Sequence, residues 1–272
     1  MTTPKTDTLR ERAPDHVLPF LDAAILRVQV GSEVYGTAID DTSDHDELGV
    51  FVLPPQNVLG ISPTDDKTWR TAQEGARSTP DDLDLSMYSA RKYVSLATQG
   101  NPSILVALFT PDHQTYTCTP EGQLLRDSAH LFHTKQSAQR FLGYMTAQFK
   151  RMEDSRAGVR APRSNRPELI EKYGYDTKFA AHAVRLGFQG LEFVRTGTMQ
   201  LPIPDPEGEA LRQIRRGNAE YDEVVNLGTD LMNALKNAID TADIPSYPDR
   251  DRISQMLSDI HFLAWSTRRA DT

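Results

Sequence analysis

The chain has 272 residues, 38 % of them hydrophobic, and a formal net charge of −8, enough apolar material for one large domain or two modest ones and a net charge that excludes sequence-independent binding along a nucleic-acid backbone as its main task. The lone Cys118 excludes an internal disulfide and a cysteine-based zinc cage. No apolar run nears the roughly 20 residues of a membrane span, and MTTPKTDTLRERAPD lacks the apolar stretch of a secretion signal, so a cytoplasmic protein with no membrane partner is expected.

In chain order, residues 14–27 (PDHVLPFLDAAILR) predict a helix leading into a short strand from Arg27 to Val30, which Gly31-Ser32 breaks. Leu48 to Leu53 predicts a second strand, stopped by Pro54-Pro55, which cannot donate to a ladder. The polar stretch from Ser62 to Pro80 has no strong period and reads as a loop or a short excursion. Leu83 to Tyr88 alternates apolar with polar and predicts a third strand, after which Ser89 caps a helix that runs to Gln99 and ends at Gly100. Asn101-Pro102 opens a short apolar helix. From Thr119-Pro120-Glu121 onward the period is helical, with helices near 136–154, 175–196, 207–216, 219–240 and 249–268. The architecture is a small α/β domain, residues 1–118, followed by a helical one, residues 119–272.

The chemistry sits at "GSEVYGTAIDDTSDHDELGVFVLPP", residues 31–55. Side chains two apart on a strand share a face, so Asp44 and Asp46 converge on one point. That suits Mg²⁺, a hard ion that takes one or two carboxylates together with phosphate oxygens and water. Gly31 permits close backbone approach to a phosphate, and the Ser32 hydroxyl with neighbouring N–H groups can hold a phosphate oxygen. A second ion needs a further carboxylate, which Asp82 or Asp84 offers. Asp84 lies deeper in the apolar alternation and is preferred. Two ions about 4 Å apart would divide activation of a hydroxyl from retention of the phosphates.

These blocks, together with Tyr35-Gly36-Thr37, Gly49-Val50, Tyr88-Ser89-x-Arg91-Lys92, Asn101-Pro102 and Gly174-Tyr175-Asp176-x-Lys178, resemble the RNA-repair-pathway polymerase-β-like nucleotidyltransferases of bacteria and phages. The resemblance spans roughly residues 30 to 225. It implies an α/β (α+β) fold, with a mixed-sheet polymerase-β-type core and a mainly helical C-terminal domain closing over the nucleotide. The activity it implies is transfer of a nucleoside monophosphate from a triphosphate such as ATP, with Asp44, Asp46 and Asp84 holding two Mg²⁺ or Mn²⁺ ions and Asp84 also serving as base. His45 and Glu47 stand where the family commonly has apolar residues. On a regular strand both face away from the aspartates, whereas a bulge would let Glu47 replace a ligand.

Lys178, His182 and Arg185 are spaced by four and three and share a helix face. Taken alone this is a solvated stripe; the resemblance implies that it faces the nucleotide, with Lys178 on the triphosphate. Arg215 and Arg216 read as cations at a helix C-terminus. Arg91-Lys92 suit either phosphate contact or plain surface. The segment Lys150–Arg166 carries six basic residues against Glu153 and Asp154. It reads as a solvated connection or, through Arg156, Arg160 and Arg163, as the track for an RNA acceptor such as tRNA. A protein hydroxyl acceptor and a non-catalytic nucleotide-binding regulator are the alternatives.

Overall fold

The computed structural model describes residues 6–39, 45–61, 63–72, 82–157 and 166–270. Two short N-terminal helices, α1 (Thr6–Arg12) and α2 (Leu18–Asp22), lead into β1 (Ala24–Val30), whose first six residues are all buried. The helix expected over 14–27 is thus only five residues of α2, and the strand starts three residues early. A run apolar on both faces has no period that separates helix from strand, and pairing on both edges decides for the strand.

After α3 (Gly31–Val34) comes β2 (His45–Phe51), then α4 (Pro55–Leu59), β3 (Asp66–Arg70), β4 (Leu83–Ser89), α5 (Ala90–Thr98) and α6 (Pro102–Leu105). The sheet ends with β5 (Thr115–Cys118). Helices α7 (Pro120–Asp127), α8 (Lys135–Arg156), α9 (Pro167–Tyr173), α10 (Thr177–Thr196), α11 (Glu207–Arg216), α12 (Tyr221–Thr241) and α13 (Arg250–Ala270) complete the chain. Ser89 accepts from Lys92 N at the start of α5, the expected cap, and Asn101 accepts from Ser103 N before Pro102.

The five strands lie in the order β3-β4-β2-β1-β5. Among the described residues only the pair β2 and β4 is parallel; the other ladders are antiparallel, so the fold is α+β with a mixed sheet. One face of the sheet packs on the first two helices through Leu9, Val17, Leu21, Phe51, Leu85 and Met87. The other carries Val28, Leu48 and Val50 into a single apolar cluster that continues through Tyr93, Phe141, Met145, Val184 and Leu235 to Ile260. Helix α13 returns to the sheet end of the molecule, where Trp265 Nε1 donates to the Leu53 carbonyl at 2.9 Å. Among the described residues no helix is long and apolar enough to cross a membrane.

Candidate active site

Parallel pairing of β2 with β4 sets Asp46 opposite Asp84, so the two carboxylates occupy adjacent strands on one face of the sheet. On the other side of β2, Val30 pairs with Asp46 and delivers the chain into the Gly31-Ser32 turn. Gly31 has φ +79°, and a Cβ there would collide with Asp46 Oδ2. Only glycine fits both the left-handed backbone and the close approach. The two carboxylates beside this cradle fit a hard divalent cation that takes oxygen ligands. Asp44 lies outside the described residues, and among those described no group of three His, Cys, Asp or Glu side chains could hold a metal ion.

Asp84 Oδ1 accepts from Arg70 Nε at 2.9 Å, an ion pair reached from the edge strand β3. Asp82 Oδ1 accepts from Thr71 Oγ1 at 2.9 Å, which ties it to the end of the sheet. Glu47 points to the opposite face, where its carboxylate lies 3.3 Å from Arg27 Nε and 3.0 Å from His45 Nε2. The β2–β4 register is unbroken, so no bulge turns Glu47 toward the aspartates.

A cleft of about 810 Å³ opens over the two carboxylates, lined on the sheet side by Gly31, Ser32, Asp46, Asp84, Ser86 and Tyr88. Its far wall is α10, started by Asp176, which accepts from the N–H groups of Lys178 (3.0 Å) and Phe179 (3.1 Å). Lys178, His182 and Arg185 all line the cleft, as their spacing requires. They are not three equal cations. His182 is pushed down to about 3, first by burial and then by Arg185 and Arg151, so it is a neutral imidazole. Arg185 is buried, its guanidinium 3.8 Å from the Tyr35 ring centre and bonded to Gln189 at 2.5 Å.

The cleft also draws on Arg70, Arg151, Arg166 and Arg215, none singled out individually from the sequence as cleft groups. Arg151 and Arg166 belong to the basic segment 150–166 and stand at its two ends; Arg215 sits at the end of α11. They come from three separate elements, and no spacing in the chain could have announced that they converge. Arg156 instead stacks on the Tyr221 ring at 3.7 Å, away from the cleft lining. Arg160 and Arg163 lie outside the described residues. Arg91 pairs with Asp65 at 2.7 Å, which accounts for it as a surface charge.

The second half also holds the turn after β1 in place. Ile203 N donates to the Tyr35 carbonyl at 3.2 Å, and Arg212 Nη1 donates to the Gly36 carbonyl at 3.3 Å.

A family model described as the RNA repair pathway DNA polymerase beta family matches residues 7–259. A protein of Enterobacteria phage T4, described as an uncharacterized 38.9 kDa protein in the nrdC-mobD intergenic region, is 27 % identical over 141 residues. That match covers 51 % of this chain and 40 % of the phage protein. Among solved structures, the nucleotidyltransferase-like protein of Exiguobacterium sibiricum matches 88 % of this chain and 74 % of its own length, with 8 % identity and a TM-score of 0.31, too distant a likeness to carry argument. The extent of the family match, over a chain that sets paired aspartates beside a glycine-serine turn, makes this protein a member of the RNA repair pathway DNA polymerase beta family.

Proposed function

We propose that this chain transfers a nucleoside monophosphate from a nucleoside triphosphate to the hydroxyl end of an RNA, releasing pyrophosphate. The observation that carries the reading is the Asp46–Asp84 register beside Gly31, facing a cationic wall across one cleft. In the proposed division of roles, residues 1–118 supply the chemistry and residues 119–272 supply that wall. Asp46 and Asp84, joined by Asp44, would hold Mg²⁺ or Mn²⁺, two ions when complete. When bound, the metal supplies charge neutralisation and activation of the attacking hydroxyl.

The protein's own groups do the positioning. Ser32 and the turn N–H groups bind the phosphate tail from the sheet side, and Lys178 with Arg185 binds it from α10. The acceptor oxygen forms its bond to the α-phosphorus as the bond to the β-phosphate oxygen breaks, and Asp84 receives the hydroxyl proton. Little covalent work remains, so alignment and charge dominate. The family's tie to RNA repair and the two ends of the basic segment at the cleft, Arg151 and Arg166, support an RNA acceptor over a protein one.

Incubation with each labelled triphosphate, Mg²⁺ or Mn²⁺ and total RNA tests this. Label is expected in RNA with wild type and absent with Asp46→Asn. The variant should match or exceed wild type in metal-free melting temperature, since a like charge is removed. Transfer by Asp46→Asn at near wild-type rate would overturn the assignment, and label in protein alone would replace the RNA acceptor.

A further inference from the structure

Behind the aspartates, on the opposite face of the sheet, lies a polar cluster that the proposed reaction does not use. His45 is its hub. Nδ1 lies 3.2 Å from Glu33 Oε2, and Nε2 lies 3.0 Å from Glu47 Oε1 and 3.1 Å from the Tyr116 hydroxyl. Tyr116 passes the chain on to Gln29 Oε1 at 3.3 Å. Arg27 closes the cluster against Glu47, with both side chains at least 95 % buried. Their contact is misaligned for a hydrogen bond, so the pair is held by charge.

Such a cluster is a poor way to stabilise a sheet. Desolvating buried charges offsets most of their attraction, and apolar residues of similar volume would commonly do as well. Its geometry has a different consequence. Glu33 belongs to α3, the four-residue helix that begins at Gly31-Ser32, while His45 and Glu47 flank Asp46 on β2. Four residues make one turn, too few to be rigid alone, and no side chain caps this one. Its position must be imposed from outside: the second half holds its far end through Tyr35 and Gly36, and the Glu33–His45 contact ties it to the strand that carries Asp46.

We propose that His45 is a positioning residue, a clamp that locks the Gly31-Ser32 turn to the Asp46 strand so that the phosphate side and the metal side of the site share one register. This rests on the nucleotidyltransferase reading of the cleft. A nucleotide seated on Ser32 then presents its phosphates where Asp46 can share an ion with them. Without the clamp, turn and strand each keep their own ligand but no longer align the two.

The clamp is tested by mutual tightening between Mn²⁺, followed by its electron paramagnetic resonance signal, and α,β-methylene-ATP. In wild type each ligand should tighten the other by about tenfold or more. In His45→Leu each ligand alone should bind within about threefold of wild type while the mutual tightening is largely lost. Glu33→Leu, at the other end of the clamp and partly exposed, should lose the same tightening. His45→Gln, whose amide offers two donors, should keep the larger part. A merely structural histidine would lower melting temperature in His45→Leu and leave the tightening intact in both leucine variants, which overturns the clamp. If Asp46→Asn abolishes tightening while both leucine variants keep it, the clamp alone is wrong. If wild type shows no tightening, or Asp46→Asn retains it, the underlying reading fails and the clamp with it.

Discussion

Asp84 and Arg70 are 2.9 Å apart, yet the Arg70 side chain is 70 % exposed, so its hold on the carboxylate is screened by solvent. Arg70 thus holds Asp84 only weakly, and a divalent ion bound to that carboxylate, as proposed, would displace it readily. If Asp84 is ligand and base, Asp84→Asn should retain triphosphate binding in a filter assay and lose single-turnover labelling by orders of magnitude. Asp82→Asn should be mild, because an amide oxygen still accepts from Thr71. The reverse pattern would move the third carboxylate to position 82. His182 offers a test by pH. Its pKa falls from 6.5 unfolded to about 3 in the fold, so between those values the unfolded chain takes up a proton that the native one refuses. Stability is therefore lost as pH falls from about 6.5 toward 3, with no such loss above that window. His182→Gln should flatten the decline in melting temperature between about pH 7 and pH 5, relative to wild type.

The elements that carry the aspartates were legible because their chemistry and their periodicity coincide. Leu83, Leu85 and Met87 alternate with Asp84 and Ser86, which fixed both the strand and the face of its carboxylate. Helix α10 was legible for the same reason: its helical period and the spacing of Lys178, His182 and Arg185 agree. Edge strands were not. Among the described residues Asp66–Arg70 (DKTWR) pairs through its backbone only with β4, and it exposes alternate polar side chains, so it reads as loop. Thr115–Cys118 is four residues long and equally polar. The apolar run alone starts β2 late, at Leu48, because the charged His45 and Glu47 find their partners Arg27 and Tyr116 only on other strands. At this scale the prediction concerns the helix wall. Lys178→Ala should raise the apparent KM for triphosphate, with a smaller drop in kcat, when initial rates are measured against nucleotide concentration. An unchanged KM would return that face of α10 to a packing and solvent role.

For the whole molecule, a net charge of −8 means that the proposed RNA acceptor would have to be received by a local positive surface. If about three side chains of the segment 150–166 contact single-stranded phosphates, log affinity should fall against log salt with a slope of roughly −2. Replacing Arg156, Arg160 and Arg163 with Ser should flatten that slope and leave triphosphate binding almost unchanged. Because Arg156 lies on Tyr221, its share of the effect should be the least of the three when each is changed singly. A triple variant with wild-type salt dependence would make the segment a linker and favour a protein acceptor.

The apolar cluster that runs from Val28 and Val50 through Phe141 and Val184 to Ile260 has a further consequence. A chain cut near residue 118 would divide that cluster between two fragments, and the apolar surface where the two parts meet would then face water at a cost of about 25 cal/mol for every Å², against a net stability that is small for any domain. The fragments should not fold separately, but mixed from denaturant they should find each other and rebuild the cleft by complementation. A gene split at this point would then report, by regained labelling, on whatever brings its two products together.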